Sequence, residues 1–180
     1  MIAEAAWQEF SLRKVLFIPS GDTPNKDMHH IDKNIRYAMV EKAIEGNGHF
    51  MISPIERDRQ GPSYTVDTIR ILQREFGDEY EFYFICGTDA VADLPTWKYN
   101  RELLSACHFI CASRPGNENE IQKSIDYFGE LGREKIHFLK TPELAISSTI
   151  LRDWIAEKRS VRYLIPDAVI DMIRSNKLYE

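Results

Sequence analysis

Phe82-Tyr83-Phe84-Ile85-Cys86-Gly87-Thr88-Asp89 is the stretch on which the fold turns. Five apolar residues run without alternation and stop at a glycine, a hydroxyl and a carboxylate. A strand with one wet face alternates, whereas a strand covered by helices on both faces does not. A short continuous run bounded by turn residues therefore reads as a strand of a parallel sheet. Four more runs share the habit: Val15-Leu16-Phe17-Ile18, Phe50-Met51-Ile52, Phe109-Ile110-Cys111-Ala112 and Ile136-His137-Phe138-Leu139.

Helical patterns separate these runs. Ile31, Ile35, Ala38, Met39 and Ala43 recur at helical spacing with Gly46 as a stop, and Val66, Ile69, Leu72 and Phe76 form a second stripe before Gly77. Further helices are expected over 119–128, 149–157 and 167–175. Strand and helix in alternation give an α/β fold, an open, doubly wound parallel sheet. No internal repeat, low-complexity tract or linker interrupts it, and 180 residues suit a single domain, 1–180.

The beginning departs from that plan. Ala3, Ala6, Trp7 and Phe10 lie at i, i+3, i+4 and i+7, so the chain opens inside an amphipathic helix that no capping residue and no strand precede. A doubly wound fold starts with a strand, which in the order 3-2-1-4-5 is central. The expectation is a domain truncated at its N-terminus, with this first strand missing and the opening helix loosely anchored.

Net charge is −5, with 28% charged and 43% hydrophobic residues. That balance argues against nucleic acid or an anionic membrane as a partner and leaves room for a small basic phosphate site. Cys86, Cys107 and Cys111 are odd in number and form no CxxC, so they read as buried free thiols in a reducing compartment. The first nine residues carry early acids and make no signal peptide, and no run approaches membrane-spanning length. The location expected is cytoplasmic.

In open α/β sheets ligands bind beyond the carboxyl ends of the strands. Polar clusters follow three of them: Pro19-Ser20-Gly21-Asp22-Thr23-Pro24-Asn25-Lys26, Gly87-Thr88-Asp89 and Ser113-Arg114-Pro115-Gly116. Turn chemistry accounts for each alone, but their shared edge points to a nucleotide site. The strongest single stretch is Ile146-Ser147-Ser148-Thr149-Ile150-Leu151-Arg152. A helix start offers unpaired N–H groups and partial positive charge, the hydroxyls add donors, and Arg152 shares a face with Thr149. The product is an anion cradle. A plain N-cap needs only one of the three hydroxyls, and both readings stand.

Gly61-Pro62-Ser63-Tyr64-Thr65-Val66-Asp67-Thr68 is a second hydroxyl-rich helix start, and Trp97 is a loop ring free either to stack on a flat ligand or to cover the core edge. The five histidines (His29, His30, His49, His108, His137) have no ligand spacing and read as structural or solvated; no metal site is expected. No Walker A, G-x-G-x-x-G or G-x-S-x-G sequence occurs.

Together these stretches resemble the bacterial nicotinate-nucleotide adenylyltransferases, nucleotidylyl transferases with an HxGH signature on a Rossmann-like sheet. The resemblance is carried by VLFIPSG at 15–21, GPSYTVDT at 61–68, GTD at 87–89 with LPTW at 94–97, SRPG at 113–116, ISSTILR at 146–152 and RYLIP at 162–166. It implies transfer of an adenylyl group from ATP to nicotinate mononucleotide, giving deamido-NAD and pyrophosphate, with Mg2+ assisting. It implies that Ser147, Ser148, Thr149 and Arg152 hold ATP phosphates and that Gly87, Asp89 and Arg114 hold the adenosine end. Tyr64, Thr65 and Trp97 would hold the nicotinate, and Lys26 would approach the phosphates.

Two departures follow. Thr23-Pro24-Asn25-Lys26 stands where the family usually reads PPHK, and no H-x-G-H segment occurs, so no catalytic histidine is named and Arg152 is the one catalytic candidate. Residues 1–180 alone are therefore expected to be inactive. The alternatives are a non-catalytic nucleotide-binding remnant and a sister enzyme preferring nicotinamide mononucleotide. A homo-oligomer stays open.

Overall fold

In the computed structural model, described over residues 1–21, 31–113, 118–141 and 146–179, all five apolar runs are strands, and every pairing is parallel. Val15–Phe17 (β1) pairs with Phe50–Ile52 (β2), Val15 opposite Phe50. Tyr83–Gly87 (β3), His108–Ser113 (β4) and Ile136–Lys140 (β5) form a second sheet in the order β3-β4-β5, with Ile85 opposite Ile110 and Cys111 opposite Phe138. Within each sheet, parallel neighbours joined through helices are what a doubly wound α/β fold contains.

The chain divides into two compact units, Met1–Arg13 with Tyr64–Glu143, and Lys14–Ser63 with Leu144–Glu180. In the first, Ile2–Glu9 (α1) precedes the chain's departure into the other unit. Thr65–Phe76 (α3) buries Val66, Ile69 and Leu72, three members of the expected stripe, and ends at Gly77 with φ +79°, a conformation glycine adopts without strain. Phe109, Ile110, Ile121 and Leu139 are fully buried at the centre. Glu118–Phe128 (α6) appears within one residue of expectation.

Three short helices, Thr88–Asp93 (α4), Asn100–Ala106 (α5) and Glu130–Lys135 (α7), with a 3-10 turn at Leu94–Thr96, carry no sequence signature. Elements of six or seven residues are too short for a periodic stripe. The expectation of a loosely held first helix is corrected. Ala6 is fully buried with Ile110 and Leu139, and Ala5, Phe10, Leu12, Tyr83 and Ile85 pack around them. The Ala6 methyl lets α1 lie close on the sheet, and this burial holds a helix whose N-cap, Met1, makes no side-chain capping bond.

The second unit holds β1, β2, Lys33–Ile44 (α2), Ser148–Ala156 (α8) and Asp167–Ser175 (α9). Asp32 caps α2 by accepting from the Asn34 amide at 2.8 Å, and α2 packs on β2 and α9. Val161, Ile170 and Ile173 are its buried residues around α9. No helix among the described residues is long and apolar enough to cross a membrane.

Candidate functional site

In the second unit the Ser-Ser-Thr stretch opens α8. Ser147 is the N-cap, and its Oγ accepts from the Ile150 amide at 3.2 Å. The cap bond uses an acceptor lone pair of Ser147 and leaves its O–H as a donor, so Ser147, Ser148 and Thr149 are all exposed hydroxyls of this helix start. The Ser148 and Thr149 amides are among those a helix start leaves without intrahelical partners. Arg152 Nη2 donates to Thr149 Oγ1 at 3.2 Å, so the guanidinium is turned back over the helix start. One cation, three hydroxyls and two amides thus meet at one exposed helix start, at the positive end of the helix dipole.

Two residues that the sequence did not single out, Tyr179 and Arg36, belong to the same unit as this helix start. The Tyr179 hydroxyl is half-buried; burial raises its pKa, while Arg152 and then Arg36 pull it down. Arg36 donates from Nη2 to the Gly21 carbonyl at 2.8 Å and from Nη1 to Ser20 Oγ at 3.2 Å. Lys26, with His29 and His30, lies outside the described residues.

In the first unit β3 runs straight into α4. Gly87 ends the strand, exposed, with open space where a side chain would stand. Asp89 is exposed in the first turn of α4, and Thr88 between them is buried. The Thr88 hydroxyl acts on the Cys111 thiol, lowering its pKa against the larger effect of burial. Burial pushes that thiol up to about 11 and those of Cys86 and Cys107 up to about 12. All three cysteines are free, as read from the sequence, and at neutral pH they stay protonated and unreactive. Arg114 lies outside the described residues.

Tyr64 is the N-cap of α3, and its side chain makes no capping bond. The Asp67 and Thr68 amides bond to the Tyr64 carbonyl, so the Thr65 and Val66 amides are the ones a carboxylate could use. Trp97 follows the 3-10 turn and sets its ring edge-on to Phe84 and Phe109, with centroids 6.1 and 6.4 Å away. The ring covers the edge of the core and is half-buried. Lys98, beside it, was missed. Its ammonium lies 5.0 Å from the Tyr64 ring centroid and so joins the Trp97 turn to the start of α3.

His108 and His137 keep to the structural reading. His108 Nδ1 and His137 Nε2 are 2.8 Å apart, Lys135 Nζ is 3.0 Å from His108 Nε2, and Tyr83 stacks on His108. No group of three or more His, Cys, Asp or Glu able to hold a metal occurs among the described residues.

The chain is similar to known proteins. Residues 1–153 match the cytidylyltransferase-like family model. A Moorella thermoacetica protein named "Probable nicotinate-nucleotide adenylyltransferase" is 45% identical over 179 residues, 98% of this chain and 82% of its own length. The chain belongs to the nicotinate-nucleotide adenylyltransferase family. A Thermoanaerobacter relative of the same name is 41% identical over 180 residues, 85% of its length. The Plasmodium falciparum nicotinic acid mononucleotide adenylyltransferase, solved in complex with NaAD, shares the fold with a TM-score of 0.73 at 19% identity, over 99% of this chain and 90% of that one.

Proposed function

We propose that this protein transfers the adenylyl group of ATP to nicotinate mononucleotide, releasing pyrophosphate and forming deamido-NAD, a step of NAD biosynthesis. The observation that carries the reading is 45% identity over 179 residues to a relative bearing that name. The chemistry of the α8 start supports it. An oxygen of the mononucleotide 5′-phosphate forms a bond to the α-phosphorus of ATP, and the bond from that phosphorus to the oxygen bridging to the β-phosphorus breaks. No covalent enzyme intermediate is needed, so the protein's work is positioning and charge stabilisation.

In this reading Ser147, Ser148, Thr149 and Arg152 take the triphosphate, with Ser147 also fixing the turn as its cap. Gly87 lets the adenosine approach backbone, Asp89 accepts from its hydroxyls, and Arg114 completes that end. The free amides at the start of α3, Thr65 first, receive the nicotinate carboxylate, while Trp97 offers a ring face, Tyr64 closes the turn and Lys26 meets phosphate. Mg2+ enters with ATP as part of the substrate. Three free cysteines support action in the cytoplasm. We take residues 1–180 as one nucleotidylyltransferase domain. The test is product analysis with the protein as its gene encodes it: deamido-NAD from nicotinate mononucleotide and ATP supports the reading, and NAD formed only from nicotinamide mononucleotide overturns the substrate assignment.

A further inference from the structure

Arg70 stands on α3 one turn beyond Asp67 and reaches across to α5, the helix packed beside it. Its Nε donates to Glu102 Oε1 at 2.8 Å, its Nη2 donates to the same oxygen, and its Nη1 donates to Asp67 Oδ1 at 2.8 Å. The guanidinium carbon lies over the Tyr99 ring, 5.4 Å from its centroid. The Lys98 ammonium meets that ring at 5.1 Å and the Tyr64 ring at 5.0 Å. The turn 97–99 is thus tied to α3 at two points, through Tyr64 at the N-cap and through Arg70 on the second turn.

We propose that Arg70 is a positioning residue for the nicotinate end of the site, acting by holding the Trp97 turn at a set distance from the start of α3. The inference rests on the adenylyl-transfer reading, in which the α3 amides take the carboxylate and Trp97 takes the ring. Tyr99 has φ +58° and ψ 34°, left-handed backbone that a bulky side chain rarely adopts. Such a conformation persists where its surroundings fix it. Here they are the two cations on the Tyr99 ring and Asn100, whose Nδ2 donates to the Pro95 carbonyl at 2.6 Å and closes the turn. Tyr99 is also the N-cap of α5, and its carbonyl accepts from the Leu103 amide at 2.9 Å. Whatever fixes Tyr99 therefore fixes both the start of α5 and Trp97, two residues earlier.

The geometry requires arginine. A guanidinium meets carboxylates with its edge while its plane packs on a ring, whereas an ammonium is a point charge that cannot do both. Arg70, Asp67 and Glu102 are all well exposed, and ion pairs at such exposure add little to stability. Their effect lies in placement. Amides on α3 and a ring on the turn can engage one nicotinate only at the right spacing, and a displacement of about 1 Å is enough to weaken that joint grip. Because the tie forms on folding, the two halves of the slot need no ordering when substrate binds.

The experiment compares Arg70→Gln, Arg70→Lys, Glu102→Gln and the double variant Arg70→Gln with Glu102→Gln. Arg70→Gln should raise KM for nicotinate mononucleotide on the order of tenfold, as a misplaced contact does, with KM for ATP and Tm nearly unchanged. Arg70→Lys should restore little of it. The double variant should match Arg70→Gln alone, because both changes break the same pair. An unchanged KM for the mononucleotide, an equal rise for both substrates, losses that multiply in the double variant, or full rescue by lysine would each overturn the proposal.

Amide exchange supplies a readout independent of turnover. The Trp97 and Leu103 amides donate to the Leu94 and Tyr99 carbonyls at 3.0 and 2.9 Å. In Arg70→Gln their exchange should quicken while that of β4 stays unchanged; no quickening, or equal quickening in β4, overturns the tie. If the unaltered protein makes no product, the adenylyl-transfer reading fails, and the exchange result decides the tie by itself.

Discussion

Arg152 Nη2 lies 3.2 Å from Thr149 Oγ1, so the cation of α8 is folded back onto the helix start instead of extending into solvent. This places a full charge where the helix dipole already favours an anion. Arg152→Ala should therefore weaken ATP use by about 2–3 kcal/mol in kcat/KM, as for a lost hydrogen-bonded charge. Steady-state kinetics at varied ATP check it; an unchanged value removes Arg152 from the site.

Trp97 divides its ring between Phe84, Phe109 and open space. Stacking acts on one substrate only, so Trp97→Ala should raise KM for nicotinate mononucleotide by about 1–3 kcal/mol and leave KM for ATP nearly unchanged. Equal effects on both, together with a large fall in Tm, would make the ring purely structural.

The pair His108 and His137 sets a pH dependence of stability. Lys135 donates to His108 Nε2, so His108 Nδ1 carries the proton given to His137 Nε2. Burial first, then the Lys135 charge, lowers both imidazoles; His137 adds to the lowering at His108, and Glu81 and Glu134 oppose it there. An unfolded histidine titrates near ~6.5. Below that pH the unfolded chain binds more protons than the folded one, so stability is full above ~6.5 and falls as pH drops towards the lowered values. Tm measured from pH 7.5 down should fall more steeply for the unaltered protein than for the double variant His108→Gln with His137→Gln. Parallel slopes would contradict the assignment.

Gly132 is buried in α7, and a Cβ there would meet the Ile125 carbonyl oxygen at 2.6 Å and the Phe128 Cβ at 3.1 Å. The nearest obstacle is backbone and cannot swing away. Gly132→Ala should cost about 1–3 kcal/mol, read as a lower Tm with kcat/KM retained by the folded fraction. A neutral or raised Tm would show that α7 shifts freely.

Much of this molecule is legible in its residues, for identifiable reasons. A two-face-buried strand must be apolar throughout, so the run 82–86 marked β3 to within one residue. Gly77 and Ser147 mark helix ends because few residues meet the demands of those positions. The short helices α4, α5 and α7 escaped because their places are set by the strands on either side, not by a stripe of their own. The anchoring of α1 turned on one methyl, Ala6, whose burial depends on residues more than a hundred positions away. Arg36 and Lys98 are ordinary helix and loop cations in sequence. Only folding brings the first onto Gly21 and Ile31 and the second over Tyr64.

The most direct measurement of the central claim is mass-spectrometric product analysis of the purified protein, as its gene encodes it, with Mg2+, ATP and equal amounts of nicotinate and nicotinamide mononucleotide. The account predicts deamido-NAD and pyrophosphate in equal amounts, with deamido-NAD far in excess of NAD. A folded protein that binds ATP and releases neither dinucleotide, or releases NAD alone, contradicts it.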